Sequence, residues 1–425
     1  MHKDKNIYDL IVIGGGPAGM MAAGRAAELG ARVLLMEKNR VLGKKLSITG
    51  GGRCNITNAE EDVRKFLENC GKAREYLFSP FSQFGVKETF SFFENNNLPL
   101  VVEARKRAFP ETQDANDVVD VMEKYVRKGG VEIHLNARAV NVKDNKNSTY
   151  TITTKKGRSF TCKNLAIAAG GLAAPQTGST GDGFQITEGL GHTIKEPDPN
   201  IVPLTTEEEW VHKLSGVTLS FMRLSFFQEG RAQIKKLGKI LFTHFGISGP
   251  LVLNVAHDVK ELMAYGPVEA SIDMFPDTDE GHLDRRVWNL FENNKNKQLK
   301  NIFHEILPKK MVEAVLSLPH LNLSKHEVNS VTKEERKALV KTMKDLRFPI
   351  TGSLGFEDAV IADGGVVLDE VNLKTMQSRI CNNLYLIGDT LNVNRPSGGY
   401  SLQLCWTTGW VAGSHVGEKL KVDKE

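Results

Sequence analysis

The hydrophobic pattern at the start of the chain predicts a strand, a helix and a second strand. Residues 7–13 form a run of mostly branched apolar side chains, which is typical of a strand buried on both faces. Residues 17–29 begin with proline and are rich in alanine, which favours a helix packed closely on a sheet, and Gly30 stands where helices commonly end. Residues 33–36 are again continuously apolar. This order indicates a β-α-β unit that opens an α/β domain.

Farther along the chain the pattern changes twice. Residues 61–130 indicate mainly helices, and residues 130–142 indicate one strand that returns to the sheet. From about residue 197 the pattern is that of short alternating strands, whereas residues 279–345 are largely helical and charged. We therefore predict a Rossmann-like, doubly wound α/β domain with an insertion. The predicted boundaries are 1–196 and 360–425 for the α/β domain, 197–276 and 346–359 for an inserted β-rich domain, and 277–345 for a small helical subdomain.

Composition and charge argue against several classes of protein. The 425 residues are 40% hydrophobic and 25% charged, with a net charge of +4, as in ordinary globular proteins. Basic residues form no concentrated stripe with interleaved aromatic residues, so no nucleic-acid partner is expected. No apolar run reaches the roughly 20 residues that span a bilayer, so no membrane partner is expected. Residues 1–6 leave no room for a signal peptide before the first strand, and the five cysteines form no C-x-x-C pair, which indicates a cytoplasmic protein without a metal site.

The turn between the first strand and the first helix carries the clearest chemistry. Gly14, Gly16 and Gly19 form the pattern G-x-G-x-x-G. The first glycine allows a tight turn, the second lets the backbone approach a pyrophosphate, and the third lets the helix pack closely on the sheet. Glu37 ends the second strand, where a carboxylate can accept hydrogen bonds from both ribose hydroxyls. Because all these parts occur in the required order, the segment predicts a dinucleotide site.

Two further segments favour flavin adenine dinucleotide (FAD) over a nicotinamide dinucleotide. The run Gly50–Gly52 suits backbone that lies against a large planar ligand, and Lys44 and Lys45 can neutralise a diphosphate. Near the end of the chain, Asp389 follows a buried strand and can hold a ribityl chain. Residues 397–400 then open an apolar helix whose N-terminus can stabilise negative charge on a reduced flavin. Because FAD spans such a domain, it needs both ends of the chain.

The chain resembles a known family over essentially its whole length. The resemblance rests on VIGGGPAGMMAA, GKKLSITGGGRCNITN, RAFP, PQTGSTGDGFQ, ILFTHFGISGP, ADGGV and GDTLNV…SGGYSLQLCWTTG. These segments resemble the FAD-binding enzymes named for aminoacetone oxidase and BaiN, which belong to the glutathione-reductase-like flavoproteins. The resemblance implies an FAD domain, an inserted β-rich domain and a small helical subdomain. It also implies FAD contacts at these positions: Gly14, Gly16, Pro17, Ala18, Glu37, Lys38, Lys44, Lys45, Gly52, Asn55, Val140, Ala169, Gly170, Asp389, Gly399 and Tyr400.

The chain departs from the family pattern near its C-terminal motif. Many members have an acidic residue where Asn392 stands, glycine near Arg395, and asparagine where Ser401 stands. These departures change the polar groups expected at the reactive end of the flavin. The substrate of a relative therefore does not transfer directly to this chain.

Three roles are open for the bound FAD. The first is a reductase that takes a hydride from NAD(P)H and passes it to an activated double bond, as the resemblance to BaiN implies. NAD(P)H would bind only transiently, because the chain has one dinucleotide fingerprint. The second is an oxidase of a small primary amine that uses O₂, and the third is a non-catalytic flavin-binding protein. For either reaction we expect a small-molecule pocket beside the insertion, with Thr243 nearby and His244, Arg395 and Tyr400 as candidate catalytic residues.

Overall fold

A computed structural model describes residues 7–422. Residues 1–6, on which the expectation of no signal peptide depends, lie outside the described residues. The structure divides into two compact units. Within the described residues, unit 1 contains residues 7–199 and 360–422, and unit 2 contains Asn200–Ala359.

The N-terminal part of unit 1 alternates strands with helices. Its strands are β1 (Ile7–Ile13), β2 (Val33–Met36), β3 (Thr57–Asn58), β4 (Leu100–Glu103), β5 (Arg107–Pro110), β6 (Glu132–His134), β7 (Ala139–Asp144), β8 (Tyr150–Thr154), β9 (Ser159–Ile167) and β10 (Ile194–Asn200). Its helices are α1 (Pro17–Glu28), α2 (Thr49–Gly52), α3 (Val63–Leu67), α4 (Arg74–Gln83), α5 (Val86–Asn95), α6 (Ala115–Lys128) and α7 (Asp182–Gly189).

Unit 2 and the C-terminal part of unit 1 follow. Unit 2 has the strands β11 (Leu204–Thr205), β12 (Thr218–Gln228), β13 (Arg231–Thr243), β14 (Gly246–Ser248), β15 (Val268–Asp273), β16 (Leu346–Ile350) and β17 (Gly352–Ser353). Its helices are α8 (Glu209–Lys213), α9 (Pro250–Met263), α10 (Glu280–Glu292), α11 (Leu299–Ile302), α12 (Lys309–Leu316) and α13 (Lys333–Lys344). Unit 1 is completed by β18 (Ile361–Val366), β19 (Val371–Asn372), β20 (Gln377–Ser378), β21 (Leu384–Leu386) and α14 (Tyr400–Val422).

The main sheet of unit 1 has the strand order β19-β20-β21-β9-β1-β2-β6, and β8 joins β7 to β9. The pairs β1–β2, β1–β9, β2–β6 and β9–β21 are parallel. The first strand lies at the centre, where its residues from Leu10 to Val12 are completely buried. A parallel strand covered on both faces needs such a continuous apolar run. This arrangement places the turn after β1 at the carboxyl edge of the sheet, where α/β proteins bind nucleotides.

Helix α14 packs directly against α1 through a row of glycines. A Cβ on Gly409 would lie 2.4 Å from the carbonyl oxygen of Ala18, and one on Gly413 would lie 2.6 Å from that of Ala22. A Cβ on Gly417 would lie 2.4 Å from the side chain of Leu29. The four-residue spacing places the three glycines on one face of α14. Close packing of the two helices therefore joins the C-terminal segment to the first β-α-β unit.

Unit 2 is built on an antiparallel sheet with the order β16-β15-β12-β13-β14-β11-β17. Its centre is the long hairpin of β12 and β13, whose register pairs Leu224 with Lys236 and Phe226 with Ile234. Helix α9 packs on β13, where a Cβ on Gly238 would lie 2.9 Å from the Leu251 side chain. Helices α10 to α13 connect β15 to β16, the two strands at one side of the sheet.

The predicted fold class, a Rossmann-like α/β domain with an additional sheet domain, is confirmed. One predicted element is wrong, because residues 130–142 do not form a single strand. The segment breaks into β6 and β7 at Asn136, which has a left-handed φ of +53°. The Ala137 N–H then donates to the Glu37 carbonyl, 2.8 Å away. None of the helices within residues 7–422 has the length and apolar character required to cross a membrane.

Candidate cofactor-binding site

The three glycines of the first turn differ in how much space the surrounding protein leaves for a side chain. A Cβ on Gly14, which has a φ of +110°, would lie 2.3 Å from the carbonyl oxygen of Ala168. A Cβ on Gly19 would lie 1.9 Å from the carbonyl oxygen of Gly14. Both glycines are therefore required by the packing of α1 on the sheet. A Cβ on Gly16 would meet no described atom within 4 Å, and its φ of −82° suits any residue.

The open space beside Gly16 lies at the N-terminus of α1, and helix N-termini attract anions. Gly16 is the N-cap of α1, so unpaired backbone N–H groups follow it. The positive end of the helix dipole adds to their attraction for a phosphate. Protein packing alone does not explain a glycine here, whereas a ligand close to the backbone does.

Glu37 lies directly after β2 with a fixed carboxylate. Its Oε2 accepts a hydrogen bond from the Gly15 N–H at 2.7 Å, and its Oε1 accepts one from the Asn39 N–H at 2.7 Å. The residue is 8% exposed. Each carboxylate oxygen has a second lone pair that can accept another hydrogen bond. The structure therefore holds this side chain beside the glycine turn with the acceptors that a ribose diol requires.

Arg395 and Asp389 form an ion pair near the start of α14. Arg395 is only 2% exposed, and its Nη2 donates to Asp389 Oδ1. Its Nε donates to Ser401 Oγ at 2.9 Å, and its Nη1 donates to the Val393 carbonyl. The Asp389 side chain is 25% exposed, and its Oδ2 accepts no hydrogen bond from the described residues. Arg395 thus orients a carboxylate that keeps one free oxygen.

Lys45 is a cation without a partner beside this ion pair. Its ammonium group is half-buried and makes neither a hydrogen bond nor an ion pair with any residue in 7–422. Burial lowers the pKa of Lys45 below its ordinary value of 10.5, and the neighbouring Asp389 carboxylate only partly offsets this effect. Together Lys45, Asp389 and Arg395 form what we call the charge cluster. Its net positive charge and its unpaired ammonium suit an anionic ligand.

Lys38 and Lys44 both bind the segment that precedes α7. The Lys44 ammonium donates to the Gln176 carbonyl at 2.8 Å. The Lys38 ammonium donates to Thr180 Oγ1 at 2.6 Å and lies 3.1 Å from Asp182 Oδ2. Both ammonium groups therefore already have protein partners, unlike the half-buried lysine described above.

The loop of residues 50–52 exposes its backbone. Gly50, Gly51 and Gly52 have φ values of +59°, +69° and +85°, which L residues rarely adopt. Cβ atoms on Gly51 and Gly52 would meet no described atom within 4 Å. Cys54 follows this loop with a completely buried thiol, and burial raises its pKa to about 12. The loop can therefore lie flat against a ligand, whereas the thiol stays protonated and unreactive.

Asn55 connects this loop to the C-terminal motif. Oriented by its neighbours, its amide nitrogen donates to the carbonyl oxygens of Thr57 and Ala108 at 3.1 and 3.2 Å. Its amide oxygen accepts from the Gly399 N–H at 3.0 Å. A Cβ on Gly399 would lie 2.2 Å from the backbone of Thr57. Asn55 and Gly399 therefore position each other through protein contacts.

Four other predicted FAD contacts lie at the carboxyl ends of β1 and β9. Pro17 and Ala18 are the first residues of α1, and Ala169 and Gly170 follow β9. A Cβ on Gly388 would lie 2.9 Å from the Ala18 Cβ. The C-terminal motif thus packs directly on the first glycine turn.

Val140 lies in a β-bulge beside a cavity of unit 1. The register of β7 with β8 shifts between Ala139 and Asn141, which leaves Val140 without an opposite residue, and its side chain is 51% exposed. The cavity beside it has a volume of about 200 Å³. It is lined by Arg138, Ala139, Val140, Asn141, Val142, Asp182, Gln185, Ile186 and Gly189. A bulged residue can offer unpaired backbone groups to the edge of a base.

Tyr400 is a half-buried phenol at the start of α14. Its ring lies 4.7 Å from that of Phe66, centroid to centroid. Burial raises the pKa of Tyr400 above its ordinary value of 10.0, and the charges of Cys70 and Glu60 raise it further. The hydroxyl has no hydrogen-bond partner among the described residues. It therefore remains a neutral donor that can bind a ligand oxygen.

His244 belongs to unit 2 and is described there by itself. It follows β13, is exposed to solvent, and its ring lies 4.8 Å from that of Phe245. Its imidazole has no hydrogen-bond partner among the described residues. A catalytic role for His244 stays a prediction.

Sequence reasoning missed the pairing of Arg395 with Asp389 and the protein partners of Lys38 and Lys44. The signal for the first was the six-residue spacing of opposite charges in GDTLNVNR, which allows the chain to turn back on itself. The signal for the second was PQTGSTGDGFQ, which supplies carbonyl, hydroxyl and carboxylate acceptors. Neither spacing is specific enough to identify such contacts without the fold.

The described residues fit FAD. The space at Gly16, the acceptors of Glu37 and the unpaired ammonium of Lys45 match the phosphates and ribose of a dinucleotide. The free Oδ2 of Asp389 and the neutral Tyr400 hydroxyl suit polar groups of the ribityl and flavin portions.

Comparisons with known proteins point in the same direction. A family model described as the Rossmann domain of HI0933-like proteins matches residues 8–415. The chain is 28% identical over 414 residues to the 3-dehydro-bile acid delta(4,6)-reductase of Clostridium scindens, covering 96% of this chain and 98% of that protein. It is 28% identical over 407 residues to the ribosomal RNA dihydrouridine synthase of Escherichia coli, covering 95% and 96%.

Solved structures of a reductase and a dehydrogenase share the fold of this chain. The open conformation of a flavocytochrome c3 fumarate reductase matches with a TM-score of 0.54 and 15% identity, covering 97% of this chain and 78% of that one. The 3-ketosteroid delta1-dehydrogenase of Sterolibacterium denitrificans matches with a TM-score of 0.55 and 12% identity, covering 98% and 100%. At these identities the likeness concerns the fold alone.

Proposed function

The chain belongs to the HI0933-like family and is an FAD-dependent oxidoreductase, and from this premise we propose that it reduces a carbon–carbon double bond conjugated with a carbonyl group. FAD, when bound, supplies the transfer of a hydride equivalent between carbon atoms. The protein supplies binding, orientation and the proton that balances the reaction.

The observation that carries the proposal is the full-length similarity to two differently named relatives. A delta(4,6)-reductase of a 3-dehydro-bile acid saturates bonds conjugated with the 3-oxo group. A dihydrouridine synthase saturates the uracil C5–C6 bond, which is conjugated with the C4 carbonyl. The two substrates share little else. Their common reactive group is therefore the chemistry that we infer for this chain.

We propose that NAD(P)H is the hydride donor and that it binds only transiently. The described chain has one β-α-β unit with the G-x-G-x-x-G turn, and FAD occupies that unit in the proposal. The segment 177–183, which also carries spaced glycines, leads into the first turn of α7 and binds Lys38 instead. A nicotinamide donor would therefore need a site outside a second Rossmann unit.

Five features of unit 1 are proposed to hold FAD. The N-terminus of α1 at Gly16 and the Lys45 ammonium bind the diphosphate, and the Glu37 carboxylate accepts the ribose hydroxyls. Asp389, held by Arg395, orients the ribityl chain. The bulged backbone at Val140 contacts the adenine edge. Lys38 and Lys44 bind residues 176–182 and stay predicted FAD contacts.

Tyr400 is the candidate within unit 1 for activating the substrate. Saturation adds a hydride to the β carbon and a proton to the α carbon of the conjugated carbonyl. A neutral phenol can donate a hydrogen bond to the carbonyl oxygen, and so stabilise the charge that develops there. The raised pKa of Tyr400 keeps this donor protonated at physiological pH. Arg395 positions Asp389, and His244 remains the candidate from unit 2.

The test is an anaerobic titration of the FAD-loaded protein with NADPH and NADH. We expect the oxidised flavin absorbance to bleach and then to return on addition of a steroid 4,6-dien-3-one, with product that has gained two hydrogens. Tyr400→Phe should slow the second step more than the first. If neither NADPH nor NADH bleaches the flavin, whereas aminoacetone bleaches it and O₂ reoxidises it, the proposal is overturned in favour of an amine oxidase.

Uracil within RNA is a second candidate substrate. Its support is the similarity to the dihydrouridine synthases of Escherichia coli and Haemophilus influenzae, the latter 27% identical over 410 residues. The same reduced enzyme, mixed with ribosomal RNA from cells that lack this chain, should then form dihydrouridine. The two substrates are distinguished by which of them restores the oxidised flavin absorbance faster.

A further inference from the structure

The central hairpin of unit 2 concentrates the positive charge of the chain. We call residues 218–243, which comprise β12, its turn and β13, the basic hairpin. It contains five basic residues and one acidic residue, so its net charge of +4 equals that of all 425 residues. Strand β13 itself carries Arg231, Lys235, Lys236 and Lys239 and has no acidic residue. The rest of the chain is therefore neutral in sum.

The four basic side chains of β13 are exposed and unpaired. All four are exposed to solvent, and none makes a side-chain hydrogen bond or an ion pair with a residue in the described range. Other basic side chains of unit 2 are paired with carboxylates, as Arg223 on β12 and Lys344 on α13 are with Asp273. Like charges that are left unpaired on one strand repel each other and attract a polyanion.

An exposed aromatic ring lies on the neighbouring strand. Phe221 is 82% exposed and has a φ of +59°, which is a strained conformation for a bulky residue. It lies in the bulge where the register shifts between Leu219 and Met222. Leu237, on β13, is 59% exposed as well. The backbone thus holds an aromatic face in water, where it contributes almost nothing to the core of unit 2.

We propose that the basic hairpin binds an unpaired RNA strand, with phosphates on the lysines of β13 and a base stacked on Phe221. Lysine contacts to phosphates and stacking on aromatic rings are the means by which proteins bind single strands. The choice of RNA rests on the second substrate class proposed above. The binding itself does not require turnover.

The arrangement of charge favours a strand over a membrane surface. Lys235 pairs with Ser225 and Lys236 with Leu224. Because successive residues of a strand point to opposite faces, these two lysines lie on opposite faces of the hairpin. A flexible polyanion can contact both faces, whereas a flat bilayer contacts one. The sequence alone does not reveal this surface, because its aromatic ring and its lysines lie on different strands.

The experiment measures binding of a fluorescein-labelled oligouridylate of about 12 nucleotides to the oxidised holoenzyme by anisotropy. The test variants are Lys235→Gln/Lys236→Gln/Lys239→Gln and Phe221→Ala. The matched control is Lys295→Gln/Lys297→Gln/Lys300→Gln, which removes the same charge from three exposed lysines of the helical region. Flavin absorbance and circular dichroism verify that each variant is folded. Phosphatidylserine vesicles are the competing ligand.

We expect the triple variant of the hairpin to weaken RNA binding at least tenfold, and to reduce the slope of log K against log salt by about 2. Phe221→Ala should weaken it roughly tenfold without changing that slope. The control should bind as the wild type does. Undetectable binding, equal loss in the control, or binding of vesicles but not of RNA would each overturn the proposal. Loss of RNA binding would leave flavin reduction by NAD(P)H intact, so the two proposals fail separately.

Discussion

The charge cluster of unit 1 and the basic hairpin of unit 2 place similar residues in opposite environments. In the cluster Arg395 is 2% exposed and bound at three sites, and Lys45 is held half-buried beside it. In the hairpin the lysines are exposed and have no partner among the described residues. Buried charges act individually, because each has one position and no water to screen it. Exposed charges act by their sum, because each contributes little alone.

This difference predicts that substitutions of packed glycines and buried ion pairs near the cofactor site change stability, whereas substitutions of the exposed lysines of the hairpin change only binding. The largest effect should come from the glycine turn. Gly14→Ala places a Cβ 2.3 Å from the Ala168 carbonyl oxygen at a φ of +110°. We expect it to reduce the free energy of unfolding by roughly 4 kcal/mol, through overpacking and backbone strain. Urea denaturation of the FAD-free protein measures this.

Gly16→Ala is the matched control in the same turn. Its Cβ meets no described atom, so unfolding of the FAD-free protein should change by no more than about 0.5 kcal/mol. FAD should nevertheless be lost from this variant on gel filtration. Equal destabilisation by both substitutions would contradict the distinction between a packing glycine and a ligand glycine.

The next effect concerns the buried ion pair. Arg395→Met leaves the Asp389 carboxylate without its cation, which should reduce the free energy of unfolding by about 3 kcal/mol. The double variant Arg395→Met/Asp389→Asn removes the remaining charge and should recover most of this loss. Thermal unfolding of the three FAD-free proteins makes the comparison. If the single variant is as stable as the wild type, the pair does not support the fold.

Lys45 should govern affinity for FAD more than stability. Lys45→Gln removes the unpaired ammonium, and we expect FAD to bind at least tenfold more weakly, or about 1.4 kcal/mol. Its pKa is lowered below 10.5 by burial, so the cation is lost as the pH rises through that lowered value. The dissociation constant of FAD should therefore increase with pH below 10.5, and the variant should abolish this dependence. Fluorescence titration at several pH values tests both points.

The lowered pKa of Lys45 has the opposite effect on the stability of the FAD-free protein. Below its lowered pKa, Lys45 carries a charge that burial disfavours, so the unfolded chain binds the proton more tightly than the folded one. Without FAD, stability should rise as the pH approaches 10.5. If the FAD-free protein instead loses stability over this pH range relative to Lys45→Gln, another titrating group dominates the pH dependence of stability.

The sequence was sufficient to predict the parts of the candidate site that depend on backbone geometry. A glycine turn with an acid after the second strand has one workable geometry, so the positions of Gly14, Gly16 and Glu37 relative to the sheet followed from spacing. The break after β6 did not follow, because a left-handed Asn136 interrupts a pattern that otherwise alternates as a strand does. Burial of Arg395 was also unexpected, since arginine is usually exposed and only the fold brings Asp389 to it.

The basic hairpin could not be read from the sequence for a different reason. Its unpaired basic residues lie on β13, whereas Phe221 lies on β12. Register determines which side chains are neighbours, and register depends on the bulge at Phe221 itself. The position of the aromatic ring relative to these basic residues is therefore visible only after the two strands are paired.

The smallest expected effect tests whether Phe221 lowers the free energy of unfolding of the protein. Phe221→Gly removes a side chain that is 82% exposed and replaces it with the residue best suited to a φ of +59°. We expect the free energy of unfolding to increase by about 1 kcal/mol, because the left-handed strain is relieved. Binding of the oligouridylate should weaken in the same variant. A gain in stability with a loss of binding would mark Phe221 as a functional residue, whereas loss of both would make it a structural one.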